Sequence, residues 1–165
     1  RQFQPLVLSE NDLKTSTDVF PIKFLDMQQD YDVVVGEDVV KDLEISRDNL
    51  RLRCEQEIKN LMLRLRGLYI SSGDNSQALE SAMLRGYYGF LKSADALAEL
   101  KTEKVYRSEE EVVAAIGEIG LDADLMQQVA GLRQGGSLGD SEAIKRSFEK
   151  FMAMVEKAAQ MADEL

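Results

Sequence analysis

Two long apolar stripes, one directly after the other, constrain this chain more than any other feature. Leu50, Cys54, Ile58, Leu61, Leu65 and Leu68 recur at spacings of four, four, three, four and three, and Leu79, Met83, Tyr87, Phe90, Ala94 and Leu97 follow with a similar period. Such spacing gathers each set on one face of a helix. It predicts a first helix from a Ser46 or Asp48 cap to about Ser71, and a second from about Ser76 to Glu99. Ser72-Gly73-Asp74 separates them, and a connection that short pairs the two as an antiparallel hairpin. Gly86 and Gly89 in the second helix each cost about 1 kcal/mol relative to Ala, a cost tolerable where a neighbouring helix needs close approach.

Three shorter stripes complete the helical part. Ser108 with Glu111 forms a capping box ahead of Val112, Val113 and Ile116, and Gly117 and Gly120 end that helix. Asp122 can cap a further helix carrying Leu125, Met126, Val129 and Leu132. After the glycine-rich stretch Arg133 to Asp140, Ser141 opens a last helix whose stripe is Ile144, Phe148, Phe151, Val155 and Ala158. Residues 1–45 read differently. Both prolines, Pro5 and Pro21, lie there, and QPLVL, VFPIKFL and DVVVGED are short β-branched and aromatic runs that suggest extended structure broken by turns. The expected fold is mainly α: a five-helix antiparallel bundle over residues 46–165, preceded by a short segment, residues 1–45, with one or two β-strands.

Composition removes several function classes. With no histidine among 165 residues, the chain has no Ser-His-Asp or Cys-His nucleophile system and no imidazole metal ligand. One cysteine, Cys54, allows neither an internal disulfide nor a Cys cluster, which fits a cytoplasmic protein. Its place on the first apolar stripe makes it a small buried hydrophobe. A net charge of −10 opposes general affinity for a phosphate backbone, so no nucleic-acid partner is expected. No stretch approaches 18 uninterrupted apolar residues, so no membrane span is expected. The acid is concentrated at the two ends of the chain. Arg47, Arg51, Arg53, Lys59, Arg64 and Arg66 make one locally basic helix, whose simpler account is a solvated or internally paired face. Its sharper account is that Arg64 and Arg66 bind an anion or an acidic segment.

Candidate chemistry is sparse. Asp122-Ala123-Asp124 precedes a helical stripe, where capping and the helix dipole favour acids. Asp30-Tyr31-Asp32 could share a Mg²⁺ ion if it lay on a strand, whereas on a helix the two side chains would diverge by about 200°. Gly135-Gly136-Ser137-Leu138-Gly139-Asp140 precedes a helix but lacks the Lys and Ser/Thr of a phosphate loop, so it reads as a connector. Tyr87 and Tyr88 could line a base-stacking cleft, although Tyr87 already belongs to the core stripe. Met152, Met154 and Met161 are accounted for by packing.

The string from Leu13 to Asp38, with STDVFPIKFLDM at Ser16 to Met27 and VGED at Val35 to Asp38, resembles the closing part of a bacterial nucleotidyltransferase-like family. Leu50 to Glu57 together with Leu63-Arg64-Leu65-Arg66 is similar to that family's first C-terminal helix. The resemblance covers about the first 70 residues. It implies an N-terminal catalytic module, in which a Gly-Ser loop and an Asp-x-Asp pair hold NTP and Mg²⁺, followed by a helical bundle. In this chain Gly136-Ser137 comes after both Asp-x-Asp triplets, so the principal motif is absent and no cofactor is expected within the chain itself. With Arg1 rather than Met at the first position, the expectation is a C-terminal portion that begins at the last strand of the catalytic module. Lys23 stands where relatives carry an acid, which leaves Asp26 as the carboxylate that strand could contribute. The bundle is also similar to nucleotide-binding helical domains that include ribonucleases, whose Arg-x₄₋₆-His pair a chain without histidine cannot supply.

The resulting expectation is an accessory, substrate-positioning region of a nucleotidyltransferase, inactive alone. Its partner would be the catalytic module, with Asp26 at the catalytic edge and Arg64, Arg66 and Tyr88 toward substrate. The competing expectation is a non-catalytic interaction module whose long helices form a homodimer or bind another protein. A concave site lined by Asp26, Arg64 or Tyr88 would favour the first, and an exposed apolar stripe would favour the second.

Overall fold

The computed structural model describes residues 5–165, so Gln4 of the expected QPLVL run lies outside the described residues. The protein is mainly helical, with helices α1 (Glu10–Thr15), α2 (Pro21–Gln29), α3 (Arg47–Ser72), α4 (Ser76–Thr102), α5 (Glu109–Glu118), α6 (Ala123–Gly131) and α7 (Ser141–Asp163). A 3₁₀ turn, Leu132–Gln134, follows α6. None of the described helices is long and apolar enough to cross a membrane.

The N-terminal segment departs from expectation, because no strand occurs among the described residues. Ser9 opens α1 through a true capping box: its hydroxyl accepts from Asp12 N at 3.1 Å, and its own N–H donates to Asp12 Oδ2 at 2.9 Å. The VFPIKFL run enters α2 with Pro21 at the first helical position, where its fixed φ suits a helix start and its missing N–H costs nothing. Pro21, Phe24 and Leu25 then fall three and four apart and are all buried, and Leu25 with Ile22 joins the core of α3 and α4, so packing overrides the extended preference of the individual residues. DVVVGED stays non-helical and unpaired, with Val34 and Val35 each 90% exposed.

From Ser46 onward the periodicity is realised nearly as spaced. Asn49 N donates to Ser46 Oγ at the start of α3, and Gly73, at φ +53°, begins the short turn into α4. Asn75 caps α4, which runs three residues beyond the predicted end. At α5 the Ser108 hydroxyl accepts from Glu111 N at 3.2 Å, but the Glu111 carboxylate accepts from Arg107 N rather than from Ser108. Asp122 caps α6 and Asp140 caps α7.

Helix α4 is central and touches α2, α3, α5, α6 and α7, while α3 and α7 pack on it and on each other. Phe90, Phe148 and Phe151 are wholly buried at this junction, with Phe90 and Phe151 edge-to-face at 5.8 Å. Of the two α4 glycines, only Gly86 serves a close approach. A Cβ there would lie 3.3 Å from Phe151 Cε1 and 3.4 Å from Leu61 Cδ1, whereas one at Gly89 would meet nothing within 4 Å.

Candidate functional site

Because α2 lies over α4 and also touches α3, two clefts are left beside it. The first, about 420 Å³, has Ile22, Lys23 and Asp26 on its α2 side, Arg53 and Glu57 on α3, and Gly89, Lys92 and Ser93 on α4. The second, about 280 Å³, lies toward α5. There α2 contributes Asp26, Gln29 and Asp30, and α4 contributes Tyr88, Lys92 and Asp95. Tyr106, Arg107, Ser108 and Glu109 close the far side. Asp26 and Lys92 form an ion pair and belong to both clefts.

Asp26 sits on a helix, not on the strand expected of it, because the run that carries it folds as α2. Its carboxylate is held by Lys92 rather than by a second acid. Tyr88 is half exposed on the neighbouring wall, with the Arg133 guanidinium 4.7 Å from its ring centroid, so one face of the ring is already covered by a cation. Asp26 and Tyr88 therefore meet in one cleft. Arg64 and Arg66 do not line it: Arg64 is exposed on α3, and Arg66 donates to Glu156 of α7 at 2.8 Å. The rest of the basic helix is likewise largely paired, through Arg51 with Glu55, Arg53 with Glu57, and Lys59 with both Glu55 and Asp163. Such exposed pairs contribute about 0–1 kcal/mol each, and they leave little uncommitted charge for an anion.

Asp30 and Asp32 lie at and beyond the C-terminal end of α2, and only Asp30 reaches the second cleft. No group of three or more Cys, Asp or Glu side chains suited to a metal ion occurs among the described residues. Gly135 to Asp140 forms a loop in which Gly135 and Gly139 take positive φ and Asp140 serves as the α7 cap. Cys54 is wholly buried, its Sγ 3.1 Å from the Ser93 carbonyl oxygen, and burial pushes the thiol up to about 12.

The most unusual residue of the cleft is Asp95, which the spacing of α4 did not single out. It is 7% exposed, and its Oδ1 has no hydrogen-bond partner. Burial raises its carboxyl to about 6, against the opposing influence of the Gln29 amide and the Lys92 ammonium. The Gln29 Nε2 is itself buried without a hydrogen-bond partner, as is Oε2 of Glu99 one turn further along α4. Burial and the nearby Asp95 also raise the Glu99 carboxyl. Desolvation lowers Lys92. A signal for Asp95 was present in Ala94-Asp95-Ala96-Leu97-Ala98, where one acid stands inside an apolar run, since an aspartate is seldom buried without a reason.

Comparison with protein-family models, with curated proteins and with solved structures gives no match.

Proposed function

We propose that this chain positions a substrate, as the helical C-terminal accessory region of a nucleotidyltransferase-like protein, and has no transfer activity alone. The observation that supports this proposal is that Asp26 and Tyr88, brought from α2 and α4, face one cleft. A concave site with a few convergent polar groups is what a positioning role requires. Lys92 fixes the Asp26 carboxylate, and the free part of the Tyr88 ring offers an apolar wall. The donor set here does not suit a Mg²⁺–nucleotide complex, for want of a carboxylate cluster, so no step of transfer is assigned to these residues. Nucleotide and Mg²⁺ belong to the catalytic module that the resemblance implies. The test is transfer from a labelled NTP with Mg²⁺. The 165-residue chain is expected to transfer nothing, while in the full-length protein Asp26→Asn or Tyr88→Ala raises the acceptor KM tenfold or more and leaves the NTP KM unchanged. Transfer by the chain alone overturns the proposal.

A second reading, homodimerisation, draws on the outer face of α3. Leu52, Leu63 and Ile70 are all exposed and fall 11 and 7 residues apart, which aligns them on one side of the helix, with Gly67 between the last two. A Leu63→Glu variant that changes the mass measured by light scattering would support this alternative, and a monomeric parent chain would remove it.

A further inference from the structure

We propose that the second cleft is a binding site for a small organic cation, an amine or guanidinium compound, whose charged head pairs with Asp95. This assignment rests on the reading of the cleft as a substrate-positioning site and names the class of substrate.

Three observations carry it. The first is the inventory of charges. Four acids and two bases line the cleft. Asp26 is committed to Lys92, which also attracts Asp95, and Glu109 to Arg133 and Tyr87, whereas Asp30 and Asp95 on one side and Arg107 on the other have no ion-pair partner among the described residues, so the acids are in excess. The second is the orphaned carboxylate oxygen. Asp95 Oδ1 is buried in the wall without a hydrogen bond, although the Gln29 amide is near enough to act on its carboxyl, and leaving such an acceptor unmade costs about 1–3 kcal/mol. A ligand that donates N–H to it removes that cost on binding. The third is the end of α2, where Gln29 and the C-capping Asp30 line the cleft, so the negative end of the helix dipole adds to the preference for a cation. No basic residue occupies the last turn of that helix.

An anion could pair only with Arg107, against four lining carboxylates. The positive end nearest the cleft, the start of α5, is already capped by Ser108 and carries Glu109, Glu110 and Glu111 in its first turn. A metal ion is disfavoured because Asp26 and Glu109 are held by cations and no group of three or more acids among the described residues is arranged to hold one. The volume of about 280 Å³ sits just below the roughly 300–1,000 Å³ typical of ligand sites, which restricts the occupant to a small molecule. Tyr88 and Tyr106 supply aromatic surface beside the charged head.

The experiment is calorimetric titration of the whole chain at pH 7.5 and 0.15 M salt with agmatine, with its anionic counterpart glutarate, and with ATP. Agmatine is expected to bind saturably. Asp95→Asn, which keeps the shape and one acceptor oxygen but removes the charge, should weaken it at least tenfold while the circular dichroism spectrum and melting cooperativity are retained. Glu164→Gln, an equal charge change at the exposed C-terminal end, should leave binding within twofold. No agmatine binding, or binding that Asp95→Asn leaves intact, overturns the cation assignment. If glutarate or ATP then binds in a manner sensitive to Tyr88→Ala, the positioning role survives with a different substrate class. If none of the three binds, both proposals fall together.

Discussion

The Tyr87 hydroxyl donates a 2.6 Å hydrogen bond to Glu109 Oε1, joining the middle of the central helix to the first turn of α5. The ring of Tyr87 is wholly buried, and burial together with Glu109 raises its phenol far above the ordinary value. Arg133 holds the same carboxylate through both oxygens at 3.1 Å. Tyr87→Phe keeps the packing and leaves Glu109 paired, so it is expected to cost about 1.5–3 kcal/mol, the range of a hydrogen bond to a charged group. Tyr87→Ala adds a cavity and should cost about 3–5 kcal/mol. Urea denaturation midpoints check both values.

Asp95 makes stability depend on pH in a stated direction. Its carboxyl stands at about 6 in the folded protein against an ordinary 3.8. A folded-state value above the unfolded one favours the protonated form on folding. The associated stabilisation is complete below about pH 4 and is lost as pH rises through about 6. Asp95→Asn removes that loss, so above pH 6 the variant should be more stable than the parent by on the order of 2 kcal/mol, with no advantage near pH 4. Glu99, raised partly by Asp95, shifts the same way and relaxes in the variant. Thermal melts at pH 4 and pH 7.5 decide it, and a variant less stable at pH 7.5 contradicts the prediction.

Cys54 should be chemically silent in the folded chain. A thiol raised to about 12 and fully buried presents almost no thiolate at pH 8. A disulfide-forming chromogenic reagent is expected to modify it only in denaturant, and prompt modification of the native chain would show that the α3–α4 contact opens readily.

The two glycines of α4 should respond oppositely to substitution. Gly89→Ala, with open space around the new Cβ, is expected to stabilise by about 0.5–1 kcal/mol through helix propensity. Gly86→Leu drives a side chain into Phe151 and Leu61 and should destabilise by about 1–3 kcal/mol or more. Chemical denaturation of the pair makes the comparison, and a Gly86→Leu variant as stable as the parent would show that this junction is looser than described.

The α3 and α4 stripes were legible because a 3.6-residue period is written into the chain and survives any arrangement of neighbours. The caps at Ser46, Ser108 and Asp122 were legible because each bonds only to its own first turn. The segment Pro21–Gln29 was not legible in this way. It carries Ile22 and Phe24 in a run that reads as extended, and it becomes helical as Leu25 and Ile22 join the core that α3 and α4 form, a contact between residues distant in sequence. The candidate site divides along the same line. The family resemblance brought Asp26 forward and the helix pattern Tyr88, yet whether they would share a cleft, and whether Arg64 and Arg66 would join them, depended on how α2 and α3 pack about α4. Asp95 was visible only as an acid in an apolar run. Its orphaned oxygen exists because α2, α4 and α5 close around it, and burial depends on all the surrounding elements at once, not on any spacing within one of them.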